Sequence, residues 1–376
     1  MYASRKPLKM SKNLLIHLLA LASVLMLSHR RILASEEAPN VDGAMVLVME
    51  DCDSDNNLST EPYGDTVSLL NSKGELVKKF RRLGIRSIFN GPRLILASED
   101  GRFFVVCENV PDKLTMYETE THRELWSLWM EIRSAVFAND LIYAVNTYNV
   151  FAIDKTGTIV KHARLGGLDI AVDTKHNCVW IVGLDVKKCD LDLMLDFKVK
   201  LTLDPTHTGG LSVDINPDGS IWVAEQNIRH EYGSKSQLVK ISTDGNILKK
   251  IDLDFSPVRI RIDRSDGSVW TTGMRKERDF SKIGDEWPET LDELNKLVET
   301  KAETFTCKYD SEGNRILEIS EGGYSIDLDQ SDGSAWIAGR ENILHYSATG
   351  QILGSYAGFS DGQKYLTIVP GKKQSN

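Results

Sequence analysis

Short runs in which apolar and polar residues alternate fill the chain from about Val41 to Pro370, broken by Asp-Gly and similar turn signals. The clearest stretch begins at Gly210. "GLSVDI", "SIWVAE", "QLVKIS" and "NILKKIDL" are four runs of period two, with "NPDG" joining the first pair and "TDG" the last. A two-residue period puts one face of a strand in a core, and glycine supplies the positive φ of a tight turn. One such stretch predicts a four-stranded antiparallel meander.

The meander recurs. "DGSIW" ending at Trp222 returns as "DGSVW" ending at Trp270 and "DGSAW" ending at Trp336, with a looser "KHNCVW" ending at Trp180. Upstream units start near Leu94, Ala135 and Leu168, so six units are complete. A seventh, "GAMVLVMED…DTVSLLNSKGELVKKF", lacks its first strand, which "KYLTIVP" at Lys364 to Pro370 supplies. Four strands per 40 to 50 residues, with one unit split between the ends, predict an all-β fold: a seven-bladed propeller over residues 41–370 closed by N- and C-terminal strands, followed by a tail at 371–376. The repeated tryptophans are expected to fill the space between blades.

Blades such as "VDINPDGSIWVAEQN…LVKISTDGNILKKIDL" resemble NHL-repeat propellers and, more closely, virginiamycin B lyase-like propellers. The resemblance is good over about residues 167–358 and poor over 43–133. It implies the fold, but a shared fold does not carry a function. The lyase family opens a lactone ring with a metal-assisted His and Glu pair. No matching constellation is found, so that activity is not inherited.

The first 35 residues differ from the rest. Six Lys/Arg and no acid flank the apolar "LLIHLLALASVLML", with small residues at Ala34 and Ser35. This is the grammar of a secretory signal peptide, and the run is short for a membrane span; the Arg30-Arg31 pair leaves an uncleaved N-terminal anchor as the alternative. Either way the propeller is expected outside the cytoplasm: secreted, periplasmic or at the cell surface. The chain's net charge is −9, and removing the leader leaves about −15 on the remainder. That balance repels phosphate backbones and argues against a nucleic-acid partner. Five scattered cysteines make no disulfide framework or CxxC zinc motif, although Cys178 and Cys189 could meet across a hairpin.

Candidate chemistry falls in two places. Asp169, Arg259, Arg261 and Asp327 sit on first strands, which line a propeller's channel; there they either orient a polar ligand or pair with one another. His207, Glu225, Arg229, His230, Arg275, Arg278 and Arg340 fall in or beside the loops after second and fourth strands, which share one face. Irregular loops on a regular scaffold are where function tends to sit. "DEWPETLDELNKLVETKAE" at 285–303, with Leu291, Leu294 and Val298 in one stripe, predicts a short amphipathic helix there. "DCDSDNNLSTE" follows the ligand order of an EF-hand-type calcium loop at Asp51, Asp53, Asp55, Asn57 and Ser59, but Pro62 takes the place of the twelfth-position Glu. Calcium is therefore a candidate cofactor, and a solvated acidic loop is the competing reading. No nucleophile elbow, phosphate loop or HExxH is present. These features support a binding module for a protein, glycan or small polar ligand on the loop-rich face. The alternative is a metal-assisted lyase or hydrolase at the channel mouth, built from His207, His230 and Glu225.

Overall fold

A computed structural model divides the chain into two units, Met1–Asn40 and Val41–Asn376. It describes residues 45–50, 66–81, 92–109, 112–201, 203, 208–227, 235–279, 299–339, 342–357, 359 and 364–370, all in the second unit. The leader, the acidic loop at 51–65 and the tail lie outside the described residues. No helix among those described is long and apolar enough to cross a membrane.

Twenty-eight strands form seven four-stranded antiparallel sheets. Blade 1 contains β1 (Met45–Glu50), β2 (Thr66–Leu70) and β3 (Leu76–Arg81). Blade 2 contains β4 (Pro92–Ala97), β5 (Phe103–Asn109), β6 (Asp112–Glu118) and β7 (Glu124–Leu128). Blade 3 contains β8 (Ser134–Ala138), β9 (Leu141–Val145), β10 (Val150–Asp154) and β11 (Ile159–Ala163). Blade 4 contains β12 (Asp169–Asp173), β13 (Cys178–Val182), β14 (Asp185–Asp190) and β15 (Leu195–Lys200). Blade 5 contains β16 (Thr208–Ile215), β17 (Ile221–Asn227), β18 (Ser236–Ile241) and β19 (Ile247–Leu253). Blade 6 contains β20 (Ser256–Ile262), β21 (Val269–Asp279), β22 (Glu299–Tyr309) and β23 (Arg315–Ile319). Blade 7 contains β24 (Ser325–Asp329), β25 (Ser334–Ala338), β26 (Ile343–Tyr346) and β27 (Ile352–Tyr356).

The missing first strand of blade 1 is β28 (Lys364–Val369), antiparallel to β1 with Val48 opposite Leu366. First strands touch in sequence around the ring, and β28 lies between β24 and β4. The split unit therefore closes the propeller as the sequence predicts.

The recurring pentapeptide now has a physical explanation. Gly219, Gly267 and Gly333 have φ of 84°, 72° and 72°. The preceding aspartates accept the serine N–H two residues on, at 2.9 Å for Asp218–Ser220 and 2.8 Å for Asp266–Ser268 and Asp332–Ser334. This Asx turn fixes the register in which Trp222, Trp270 and Trp336 stand opposite Asp214, Arg261 and Asp327. Each tryptophan is buried against the following blade; Trp222 packs with Phe255, Ile260 and Ile262. Lysines lie over three of the rings: Lys188 over Trp180, Lys240 over Trp222 and Lys308 over Trp270, at 5.2 to 5.8 Å. The indole N–H of Trp222 makes no hydrogen bond, so shape and apolar area decide its worth. Trp222→Ala should cost about 3–5 kcal/mol, whereas Trp222→Phe, which keeps a ring in the gap, should cost much less. Chemical denaturation of both variants checks this; equal and small losses would contradict the packing role.

Two sequence expectations change. Residues Glu299–Glu303, placed in the predicted helix, belong to β22, while Asp285 to Val298 lie outside the described residues. β21 and β22 form an 11-residue ladder that sets Arg275 opposite Glu303 and Glu277 opposite Lys301. β-branched Thr304 and Thr306 and the opposite charges of Arg275 and Glu303 across the ladder favour the strand. Cys178 and Cys189 do not bond: Cys189 faces Val179 across the ladder, and the two thiols enter cores on opposite sides of blade 4. Burial pushes the Cys189 thiol up to about 12.

Candidate functional site

The charged residues of the first strands meet in a belt around the channel. Asp169 is 2% exposed. Its Oδ1 accepts the Ser134 hydroxyl and faces Arg259 Nη1 at 3.4 Å. Its Oδ2 accepts the Ser212 hydroxyl at 2.9 Å and the Val213 N–H at 3.0 Å. The Ile260 N–H donates to Ser212 Oγ at 3.3 Å, and the Ile262 N–H to Asp214 Oδ2 at 2.8 Å. Arg261 Nε donates to Asp327 Oδ1 at 3.3 Å. Asp327 Oδ2 accepts the Ile368 N–H at 3.0 Å and the Thr367 hydroxyl at 3.2 Å. Thr367 Oγ1 in turn accepts the Ala97 N–H at 3.3 Å.

One rule covers most of these contacts. A polar side chain on one first strand accepts a backbone N–H from the next, which the ladder leaves unpaired on that side. Among the described residues the junctions from blade 3 through blade 7 and blade 1 to blade 2 are bridged in this way or by side-chain pairs. Blades 2 and 3 meet through Leu94, Ile132 and Ala135 instead.

Burial raises the Asp214 carboxyl, against the opposing pull of Arg261. Burial lowers the Arg259 guanidinium pKa, with Asp169 opposing. Burial also works against the Arg261 charge, but Asp327, Asp214 and Asp169 outweigh it and raise its pKa. Asp169, Arg259, Arg261 and Asp327 are thus brought together, and each is engaged by the protein itself. Asp214, Ser134, Ser212 and Thr367 complete the belt. Reading the residue opposite each repeated tryptophan would have found Asp214.

The loop-side candidates separate. Glu225 is fully buried, with Oε1 accepting the Leu203 N–H at 2.8 Å and Oε2 accepting Gln237 Nε2. Arg275 holds Asp254 at 2.5 Å and lies 4.3 Å over the Phe305 ring. Arg278 is on β21, but its side chain is outside the described residues, as are His207, Arg229, His230, Arg340 and the calcium candidates Asp51, Asp53, Asp55, Asn57 and Ser59. No group of three metal-ligating side chains occurs among the described residues.

The two faces of the ring differ sharply. Connections from first to second and from third to fourth strands span two to six residues, from 139–140 to 263–268. On the opposite face the connections range from two residues (183–184) to fifteen (51–65) and nineteen (280–298). Most of the departures from the repeat gather on this loop-rich face.

No family model matches the chain, and no curated protein matches it in sequence. Among solved structures it is similar to Kuenenia stuttgartiensis hydrazine synthase, at 12% identity over 72% of this chain and 80% of that one, with a TM-score of 0.55. It is also similar to the WD40 domain of Neurospora crassa Pan2 (8% identity, 70% and 78% covered, TM-score 0.52). A third is the Myceliophteria thermophila Cps50 (Swd1) β-propeller domain (10% identity, 73% and 87% covered, TM-score 0.50). At these identities the likeness is one of fold.

Proposed function

We propose that the chain is an exported binding module of the NHL and virginiamycin B lyase-like blade type, which holds a protein partner on its loop-rich face. The carrying observation is the contrast between the faces: uniform turns of two to six residues on one, connections of up to nineteen on the other. A ring that needs only short turns gains nothing structurally from long connections on one side, and binding surfaces are commonly built from such loops. The channel residues support this assignment, since Asp169, Arg259, Arg261 and Asp327 already satisfy one another and the neighbouring backbones. Glu225 gives the metal-assisted alternative little to use, because both of its oxygens accept protein hydrogen bonds.

Site-specific photo-crosslinkers test the reading. Placed at Tyr148 and Glu321 on the loop-rich face, they should give discrete protein adducts in the producing cell; placed at Asp244 and Glu312 on the other face, they should not. Equal labelling of both faces, or of the turn face alone, would overturn it. Export makes a separate prediction: intact-mass analysis of the mature protein should find a new N-terminus near Ser35 or Glu36. A chain retaining Met1 in the membrane fraction would instead establish the anchor, and one retaining Met1 in the cytosol would refute export.

A further inference from the structure

Thirteen large apolar side chains are exposed among the described residues, and most recur blade by blade at the start of an outermost strand, as at Leu76, Ile159, Ile247, Ile316 and Ile352. Met194 lies in the turn just before one such strand, and three others fall elsewhere. Trp129 is 70% exposed, Tyr148 74% and Leu184 76%. Trp129 lies in the connection from β7 to β8, Tyr148 between β9 and β10, and Leu184 between β13 and β14. All three are on the loop-rich face, in the sector of blades 2 to 4 where connections are only two to five residues long.

The supports of these side chains are fixed and interlocked. Asn146 Oδ1 accepts the Tyr148 and Asn149 N–H groups at 2.9 and 2.7 Å, and the Asn146 carbonyl accepts the Gly167 N–H at 2.9 Å. A Cβ on Gly166 would lie 2.0 Å from the Thr147 carbonyl oxygen, and one on Gly183 would lie 3.2 Å from the Gly167 Cα. The Gly166-Gly167 pair thereby lets the Tyr148 and Leu184 turns pack against one connection. The Arg133 N–H donates to the Val145 carbonyl at 2.7 Å, tying the Trp129 connection to blade 3. A Trp and a Tyr held out on pre-ordered turns are the residue types of an interface hot spot, and Leu184 adds apolar area beside them.

Charge identifies the occupant. On the loop-rich side of this sector stand Lys113, Arg133, Arg164, Lys187, Lys198 and Lys200 against Asp112, Glu131 and Asp185, a local excess of cations in a chain of net charge −9. Arg133 pairs with Glu131, and Lys187 and Lys198 share Asp185. Arg164 and Lys200 are exposed and make no ion pair with a described residue.

We infer that Trp129, Tyr148 and Leu184 form the docking site for a protein segment presenting an apolar side chain flanked by Asp or Glu, with Arg164 and Lys200 receiving the carboxylates. This rests on the reading of the loop-rich face as the binding face, and names the sector and the partner's chemistry.

The test places a benzophenone amino acid at Leu184 in the full chain, with a second position at Glu321 on the far side of the same face, and sequences the crosslinked peptide. The expected adduct at Leu184 is a protein segment of net negative charge joined at or beside an apolar residue. Its yield should fall about tenfold in Trp129→Ala and in Arg164→Glu/Lys200→Glu, as for hot-spot and charge-pair losses, while both variants melt like the parent. A neutral or basic segment, a lipid or a second copy of this chain at Leu184 would overturn the proposal, as would a yield indifferent to charge reversal. An adduct at Glu321 with none at Leu184 would remove this patch and keep the face; none at either position would remove both.

Discussion

A chain ending at residue 363 should not hold its ring. It would lose β28, the innermost strand of blade 1, with Leu366, Ile368 and Val369, all buried. Burial of such side chains is worth about 1.5–3 kcal/mol each, so three approach the 5–15 kcal/mol that holds a typical domain together. The truncation also removes Thr367, which bridges Asp327 to the Ala97 backbone, and bares the edge of β1 beside the cluster around Trp336. An uncovered edge invites pairing with other chains. Circular dichroism melts should show no cooperative transition near that of the parent, and gel filtration should show aggregates. Removing only residues 371–376 should leave both measurements unchanged. A 363-residue chain that melts like the parent would contradict closure by the last strand.

Asp169→Ala should be the most damaging point change in the channel wall. The carboxylate serves four groups from three other blades: Ser134, Ser212, the Val213 N–H and Arg259. Its loss leaves the Arg259 guanidinium, only 19% exposed, beside Arg261 without its closest anion. Removing one partner of a buried pair costs about 3–5 kcal/mol, because the remaining charge is uncompensated. Adding Arg259→Ala should recover part of that loss, since the residues act as a unit. Urea denaturation of the single and double variants reads both effects. A loss below about 1 kcal/mol, the scale of an exposed ion pair, would show that water serves these groups as well as the belt does.

The features legible in the sequence were those set by local chemistry. Asp-Gly turns, two-residue alternation and the tryptophan after each turn are contiguous signals, and they determine strands, blade count and the split blade. The belt was half legible. Placing Asp169, Arg259, Arg261 and Asp327 on first strands required only the repeat, but their partners depend on the stagger between blades, which no single unit encodes. Glu225 was misleading in a different way: it lies near the end of β17, where exposure is expected, yet it is buried against Leu203 and Gln237. Residues 299–303 suit either a helix end or a strand, and only the opposite strand decides between them. The Cys178–Cys189 register turned on one residue, and that residue places the thiols in different cores. Trp129, Tyr148 and Leu184 carried no sequence signal, because an aromatic or aliphatic residue in a loop is as readily exposed as buried, and only its surroundings decide which.

Closure of the ring fixes which connections share a face, so its register is the most direct thing to measure. Val48 and Leu366 stand opposite each other across β1 and β28, in one buried cluster. Directly opposed Cβ atoms in antiparallel strands lie about 4.5–5.5 Å apart, close enough for a disulfide to form with small adjustment. The Val48→Cys/Leu366→Cys chain, oxidised and digested, should yield a peptide joining positions 48 and 366. Val48→Cys/Thr367→Cys should not yield the corresponding peptide, because a shift of one residue turns the side chain to the other face. Equal crosslinking of both pairs, or of neither, would contradict a propeller closed by its first and last strands.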